Sequence, residues 1–165
     1  MTVVSNTSPI INLAAIGQLT LLQPLYDRIR IPQAVYLEIA VTGAGQAGAR
    51  EVRQFDWISR CTVADRALVS ALSIELDPGE AEAIAAAVEL HAELLLIDEQ
   101  RGRAVAQRLG LRVIGILGIL IEAKHRGLIK TVKPLLDALI TRAGFWVRKD
   151  LYTRVLQAAG EDSDR

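Results

Sequence analysis

Apolar residues change their period several times along this chain, and each change marks an element. Residues 2–5 form a short β-branched run that reads as a first strand. Asn6-Thr7-Ser8-Pro9 follows as a turn in which Ser8 is placed to cap a helix opening at Pro9. Ile10, Leu13 and Ala14 carry that helix to a break near Gly17, and residues 19–25 read as a second short helix. Residues 28–31 are a second strand; Pro32 opens a helix bearing Val35, Glu38 and Ile39, which Gly43-Ala44-Gly45 breaks. Helices are predicted over residues 47–58, with Phe55, Trp57 and Ile58 as packing residues, and over 66–74, with a minor strand at Thr62 and Val63 between them.

From residue 77 to residue 100 the pattern sets a helix, a turn and a strand in an order that delivers acids to one place. Asp77-Pro78 reads as a helix start with Pro at the first helical position. Ile84, Ala87, Val88 and His91 recur at helical spacing, so one face is largely apolar and can lie on a sheet. Leu94 to Ile97 are apolar without alternation, as in a strand buried on both faces of a parallel sheet. That strand ends on Asp98 and Glu99, and a helix over 100–109 stops at Gly110. Residues 111–114 supply the next strand, Gly115-Ile-Leu-Gly opens a helix through Lys124, and helices over 132–141 and 149–159 close the chain. Alternating strands and helices call for right-handed crossovers and a parallel sheet with helices on both faces. In such α/β sheets the carboxyl ends of the strands line the ligand crevice, so an acid there is a candidate for chemistry.

With 51% hydrophobic and 4% aromatic residues, 165 residues suffice for one domain over residues 1–160, including the helices within 131–160. Residues 161–165 read as a disordered tail. A formal net charge of zero argues against a polyanion partner until its distribution is considered. Residues 1–98 hold six Lys or Arg against twelve Asp or Glu, and residues 99–154 hold twelve against four. An acidic pocket beside a basic surface fits that asymmetry, and so do Lys- and Arg-rich solvated faces on the C-terminal helices. Cys61 is alone, which excludes an intramolecular disulfide and suits a reducing compartment. His91 and His125 lack metal-ligand spacing. No basic stretch precedes the first apolar residues, and the longest apolar or Gly run, 113–121, is far short of the ~20 residues that cross a bilayer. The expectation is a cytoplasmic protein with no membrane segment. Leu135, Leu139, Phe145, Trp146, Leu151 and Tyr152 crowd the C-terminal helices; unless they pack on their own sheet, they predict a homodimer.

Four polar positions fall at or beside predicted strand ends or helix starts: Asn6, Glu38, Glu80 and Asp98. Each has a structural explanation. Asp77-Pro-Gly-Glu80 fits a capping box in which Glu80 reaches back to the Asp77 amide, Asp98 can cap the next helix, Glu38 can sit on a solvated face, and Asn6 can stabilise a turn. Geometry stands against four separate coincidences. Parallel strands put Asn6 and Asp98 on one edge, and a helix entering or leaving that edge brings Glu38 and Glu80 alongside. Clustered carboxylates repel one another and are tolerated best around a cation. Hard oxygen ligands favour Mg2+ or Mn2+.

The segments VVSNTSPIINLAAIG, IPQAVYLEI, DPGEAEAIAAAVEL, LLLIDEQRGRAVAQRLGL and VIGILGILIEAKHRGLI resemble, in order and spacing, a prokaryotic subgroup of the PIN-domain proteins. The resemblance runs over residues 3–160. It implies an α/β three-layer α/β/α sandwich with a five-stranded parallel sheet of order 3-2-1-4-5. It also implies a Mg2+- or Mn2+-dependent ribonuclease, often the toxin of a toxin–antitoxin pair. The family's site positions fall on Asn6, Glu38, Glu80 and Asp98, with Glu99 beside the last and Ser8 as the hydroxyl near the first. Two positions depart from the pattern: the family has Asp where this chain has Asn6, and the subgroup has Thr where this chain has Ile116. An Asn offers a carbonyl oxygen to a metal but brings no negative charge.

The leading functional expectation is therefore an endoribonuclease in which Glu38, Glu80, Asp98 and Glu99 hold metal. RNA is its substrate and an antitoxin protein its partner. Arg101, Arg103 and Arg108 on the following helix are candidates for phosphate contacts, with a solvated helix face as the competing explanation. The second expectation, supported by Asn6, is a catalytically degenerate module that binds RNA or a partner protein. A phosphoacceptor receiver domain also ends a central strand on Asp, but the stretch after Ile114 lacks the Lys it would need. No Gly-rich loop with Lys is present for a nucleotide.

Overall fold

The computed structural model describes residues 1–161. Strands β1 (Val3–Ser5), β2 (Ile29–Pro32), β3 (Ile58–Cys61), β4 (Leu94–Leu96) and β5 (Val113–Ile114) form one sheet of order β3-β2-β1-β4-β5. Every pairing is parallel. The chain runs outward from β1 to β3 and then resumes at β4, on the other side of β1. The switch point of the sheet thus lies between β1 and β4, where the register pairs Ser5 with Leu96. Crevices at such points are where open parallel sheets bind ligands.

Ten α-helices accompany the sheet among the described residues: α1 (Thr7–Ala15), α2 (Leu22–Tyr26), α3 (Gln33–Tyr36), α4 (Ala49–Gln54), α5 (Arg66–Leu72), α6 (Pro78–Glu89), α7 (Gln100–Arg108), α8 (Ile116–His125), α9 (Lys133–Thr141) and α10 (Lys149–Ala158). A π-helical stretch, Leu37–Thr42, continues α3. Helices cover both sides of the sheet. Helix α6 touches β1, β2 and β4 together with α3, α5 and α7, while α1 meets α8 and α9, and α10 packs on α8. Leu95, Leu96 and Ile97 are fully buried, as their unbroken apolar run requires.

Several elements differ from the sequence pattern, each for a packing reason. Helix α6 is not one-faced. Every residue from Gly79 to Ala87 is buried, because small Ala side chains let strands and three helices close on it. His91, expected on its apolar face, lies beyond the helix, exposed, at φ 51°. The helix predicted over 47–58 ends at Gln54. Phe55 turns the chain into an extended conformation and stacks on Trp57 with ring centroids 5.4 Å apart. Ile58 to Cys61 then supply the partner that the edge of β2 needs, in place of a strand at Thr62 and Val63.

Helix α1 starts at Thr7 with Asn6 at its N-cap, so Ser8 lies inside the helix and does not cap it. Glu161, assigned to the tail by its sequence, accepts from the Val132 N–H at 2.7 Å, the Lys133 N–H at 3.1 Å and Lys124 Nζ at 3.0 Å. The remainder of the expected tail, 162–165, lies outside the described residues. Of the C-terminal apolar residues that suggested a dimer, Leu139 is fully buried, and Leu135, Phe145, Leu151 and Tyr152 pack partly buried against the core. Trp146 alone of the six remains exposed.

Candidate active site

The site is assembled at the carboxyl ends of β1 and β4. The Asn6 N–H donates to the Leu96 carbonyl at 2.9 Å, so the residue after β1 stays in register with β4 and is 3% exposed. Its side-chain Nδ2 donates to Glu99 Oε2 at 3.1 Å, and the Ser8 hydroxyl donates to Glu99 Oε1. Asn6 Oδ1 is buried without a hydrogen-bond partner. An orphaned buried acceptor of this kind calls for an explanation such as an ion or a water.

Glu38 comes from the π-helical stretch that continues α3; such widened turns are frequent at functional sites. Its Oε2 accepts from the Thr7 hydroxyl at 3.0 Å. Glu82, not singled out from sequence, positions this element. Its Oε1 accepts from the Ala34 N–H at 2.9 Å and caps α3, while Oε2 takes Arg66 Nη2 at 3.0 Å. Gly79 permits the meeting of these parts. A Cβ there would lie 2.9 Å from Glu38 Oε2 and 3.5 Å from both Asn6 Oδ1 and Thr7 Oγ1.

Glu80 is buried at the first turn of α6. Asp77 Oδ1 accepts from the Glu80 N–H at 2.8 Å, which is half of the expected capping box. The Glu80 carboxyl does not accept from the Asp77 N–H to complete the box, and a Cβ at Gly102 of α7 would meet its Oε2 at 2.9 Å. Asp98 does not cap α7, the helix that follows it. Its Oδ1 accepts from the Ile116 N–H at 2.8 Å and so caps α8, with Gly115 leaving room for it. Its Oδ2 is buried and unpartnered. Ile116, where the resembling subgroup has Thr, is fully buried and brings no hydroxyl.

Charge is concentrated here. Burial pushes the Glu80 carboxyl up to about 8, helped by its hydrogen bond to Asp77 and the charges of Asp77 and Glu99. Burial likewise raises Asp98 to about 6, with Glu99 adding to the shift and the Ile116 N–H and Arg103 opposing it. Glu38 is exposed as a residue, and partial loss of solvent around its carboxyl raises it, with Thr7 opposing and Asp77 and Glu99 adding. Asp77, legible in the sequence only as a cap, is thus one of the charges of the site. Of the three candidate arginines, Arg103 lines a cavity of about 530 Å³ with Asp98. Arg101 donates to the Glu75 carbonyl and Arg108 pairs with the Glu75 carboxylate.

The donor set is all oxygen, and two of its buried acceptors lack partners, so in kind it suits a hard divalent cation. In position it is more open. Among the described residues, no three His, Cys, Asp or Glu side chains sit close enough together to hold one ion. Glu99 is engaged by Asn6 and Ser8, and Asp98 Oδ1 by Ile116.

A parallel α/β/α sheet with acids at its switch point is a nuclease-type architecture. The family model DUF3368, described as a PIN domain, matches residues 2–161, and the chain belongs to this PIN-domain family. None of the curated proteins matches it. No helix among the described residues is long and apolar enough to cross a membrane.

Proposed function

We propose that this chain is a divalent-metal-dependent endoribonuclease of PIN type, with Glu38, Glu80 and Asp98 as ligands that draw together around the cation only when it binds, and Asn6 as a neutral, weakening member of the site. One observation carries the reading: three carboxyls from separate elements lie towards one strand edge, and all are raised above the ordinary carboxylate range by loss of solvent and by the charge of Glu99, to which Asp77 adds for the two glutamates. Such a collection is relieved by a cation. When bound, Mg2+ or Mn2+ would orient and activate water for in-line attack on a phosphodiester and neutralise charge on the phosphate.

The chain's own groups do the rest. Thr7 holds the Glu38 carboxylate, Asp98 keeps Oδ2 available while Ile116 fixes Oδ1, and Asn6 and Ser8 hold Glu99 out of the way. Arg103, which donates to the Ile97 carbonyl at 3.2 Å and shares a cavity with Asp98, is the candidate to meet a phosphate oxygen there. The same reading makes the chain the toxin of a toxin–antitoxin pair, with an antitoxin protein as its partner.

The second reading, a module that binds RNA or a partner protein without cutting, is favoured by the bond from Asn6 Nδ2 to Glu99, which supplies internally what a cation would supply. Calorimetric titration with Mn2+ and cleavage of single-stranded RNA, on the chain as it is and as Asn6→Asp and Asp98→Asn, separate the two. The nuclease reading expects weak cleavage with Mg2+, recovery with Mn2+, a gain on Asn6→Asp and loss on Asp98→Asn. Cleavage that survives Asp98→Asn at full rate, or an Asn6→Asp chain that neither binds Mn2+ more tightly nor cuts faster, would hand the site to the second reading.

A further inference from the structure

Residues 144–148, between α9 and α10, belong to no helix or strand, and their exposure alternates. Phe145 and Val147 pack against the core, while Trp146 and Arg148 face solvent. Trp146 and Arg148 are thus the exposed positions on either side of the partly buried Val147. The Phe145 N–H donates to the Leu139 carbonyl at 2.9 Å, which ties the segment to the end of α9. The indole, 78% exposed, is therefore held out between two anchored neighbours. It borders both cavities that Asp98 lines, one shared with Arg103 and the other with Ser8 and Glu99. Arg142, Arg148 and Lys149 lie in and beside this segment, and Arg148 makes only an exposed ion pair with Asp150 at 3.5 Å, which a phosphate can replace.

We propose that Trp146 is a stacking platform for single-stranded RNA, seating one nucleobase beside Asp98 while Arg103 and Arg148 meet the adjoining phosphates. The proposal rests on the nuclease reading and adds to it a residue that seats a base of the substrate. An aromatic face accepts any unstacked base and cannot reach one inside a duplex. Interleaved cations match the phosphates between successive bases. A second copy of the chain or an apolar peptide would use the apolar lining that Val113, Leu117 and Leu151 add to this cavity, whereas the cations and Asp98 beside the ring favour a nucleic acid.

The test uses the full chain in EDTA, titrated with a single-stranded oligoadenylate RNA and with the same strand in duplex form. Tryptophan fluorescence reports the contact directly, because the other indole, Trp57, is buried against Phe55. The expected result is quenching by the single strand and little by the duplex. Affinity should fall roughly tenfold for Trp146→Ala and stay near the original for Trp146→Phe, in line with one base stack. In an Asn6→Asp background, Trp146→Ala should raise KM and leave kcat largely unchanged. Equal RNA affinity for Trp146→Ala and the unaltered chain overturns the platform alone and leaves the nuclease reading standing. Absence of RNA binding by every form overturns both. A dimer that dissociates on Trp146→Ala assigns the ring to a second copy and overturns the proposal.

Discussion

Replacing Asn6 by Asp supplies the acid that the resemblance leads one to expect at this position, and its cost can be worked from the contacts present. Asn6 Nδ2 lies 3.1 Å from Glu99 Oε2, and the residue is almost fully buried. A carboxylate oxygen in place of Nδ2 removes a hydrogen bond to a charged acceptor, worth roughly 1.5–3 kcal/mol. It also sets two negative charges at that separation, a repulsion on the order of 5 kcal/mol at an effective dielectric of about 20. Proton uptake limits the penalty. Keeping an Asp of ordinary pKa neutral at pH 7 costs about 4 kcal/mol, and the protonated group can donate to Glu99 as the amide did. The expected destabilisation in EDTA at neutral pH is therefore roughly 2–4 kcal/mol, which in a chain of 165 residues lowers Tm by about 5–15 °C. Mn2+ at a hundredfold excess over its Kd returns about 2.7 kcal/mol. Thermal melts in EDTA and in Mn2+, run side by side on both chains, read this directly. Asn6→Asp should melt lower in EDTA and gain more from Mn2+ than the unaltered chain. Equal melting temperatures in EDTA, or equal gains from Mn2+, would refute the reasoning.

Three further outcomes are expected. Glu80 binds its proton more tightly in the fold than in the unfolded chain, so the stability it contributes is complete below the unfolded value near ~4.3 and is lost as pH rises through about 8. In EDTA the Tm should fall between about pH 7, where Asp98 has largely titrated, and about pH 8, and Glu80→Gln should flatten that fall; an equal slope in both chains would contradict the assignment. Gly102→Ala puts a Cβ 2.7 Å from Ile97 Cδ1 and 2.9 Å from Glu80 Oε2. Overpacking of about 1–3 kcal/mol should outweigh the helix-propensity gain of about 1 kcal/mol, lowering the urea midpoint together with Mn2+ affinity. Glu161→Ala removes the acceptor of the Val132 and Lys133 N–H groups at the start of α9 and should cost about 1–2 kcal/mol by chemical denaturation, whereas a tail residue would cost nothing measurable.

The sequence by itself determined the elements whose signal is local. The unbroken run Leu94 to Ile97 had to leave water on both sides, and alternation of strands with helices required a parallel sheet, so the edge that gathers Asn6 and Asp98 was legible before any coordinates. The Asp77-Pro78 start of α6 was legible for the same reason, since capping joins residues three apart. What the tertiary structure alone decided is which distant groups satisfy one another. Asp98 caps a helix that begins eighteen residues later, Glu82 caps α3 from forty-eight residues away, and Glu99 is held by Asn6 across ninety-three. Hydropathy spacing records which side chains must be buried, whereas the partner of a buried carboxylate is set by how strands and helices pack. For that reason Glu82 and Gly102 carried no signal in the chain. For the same reason Asp77 read only as a cap until Glu38 and Glu80 were placed beside it.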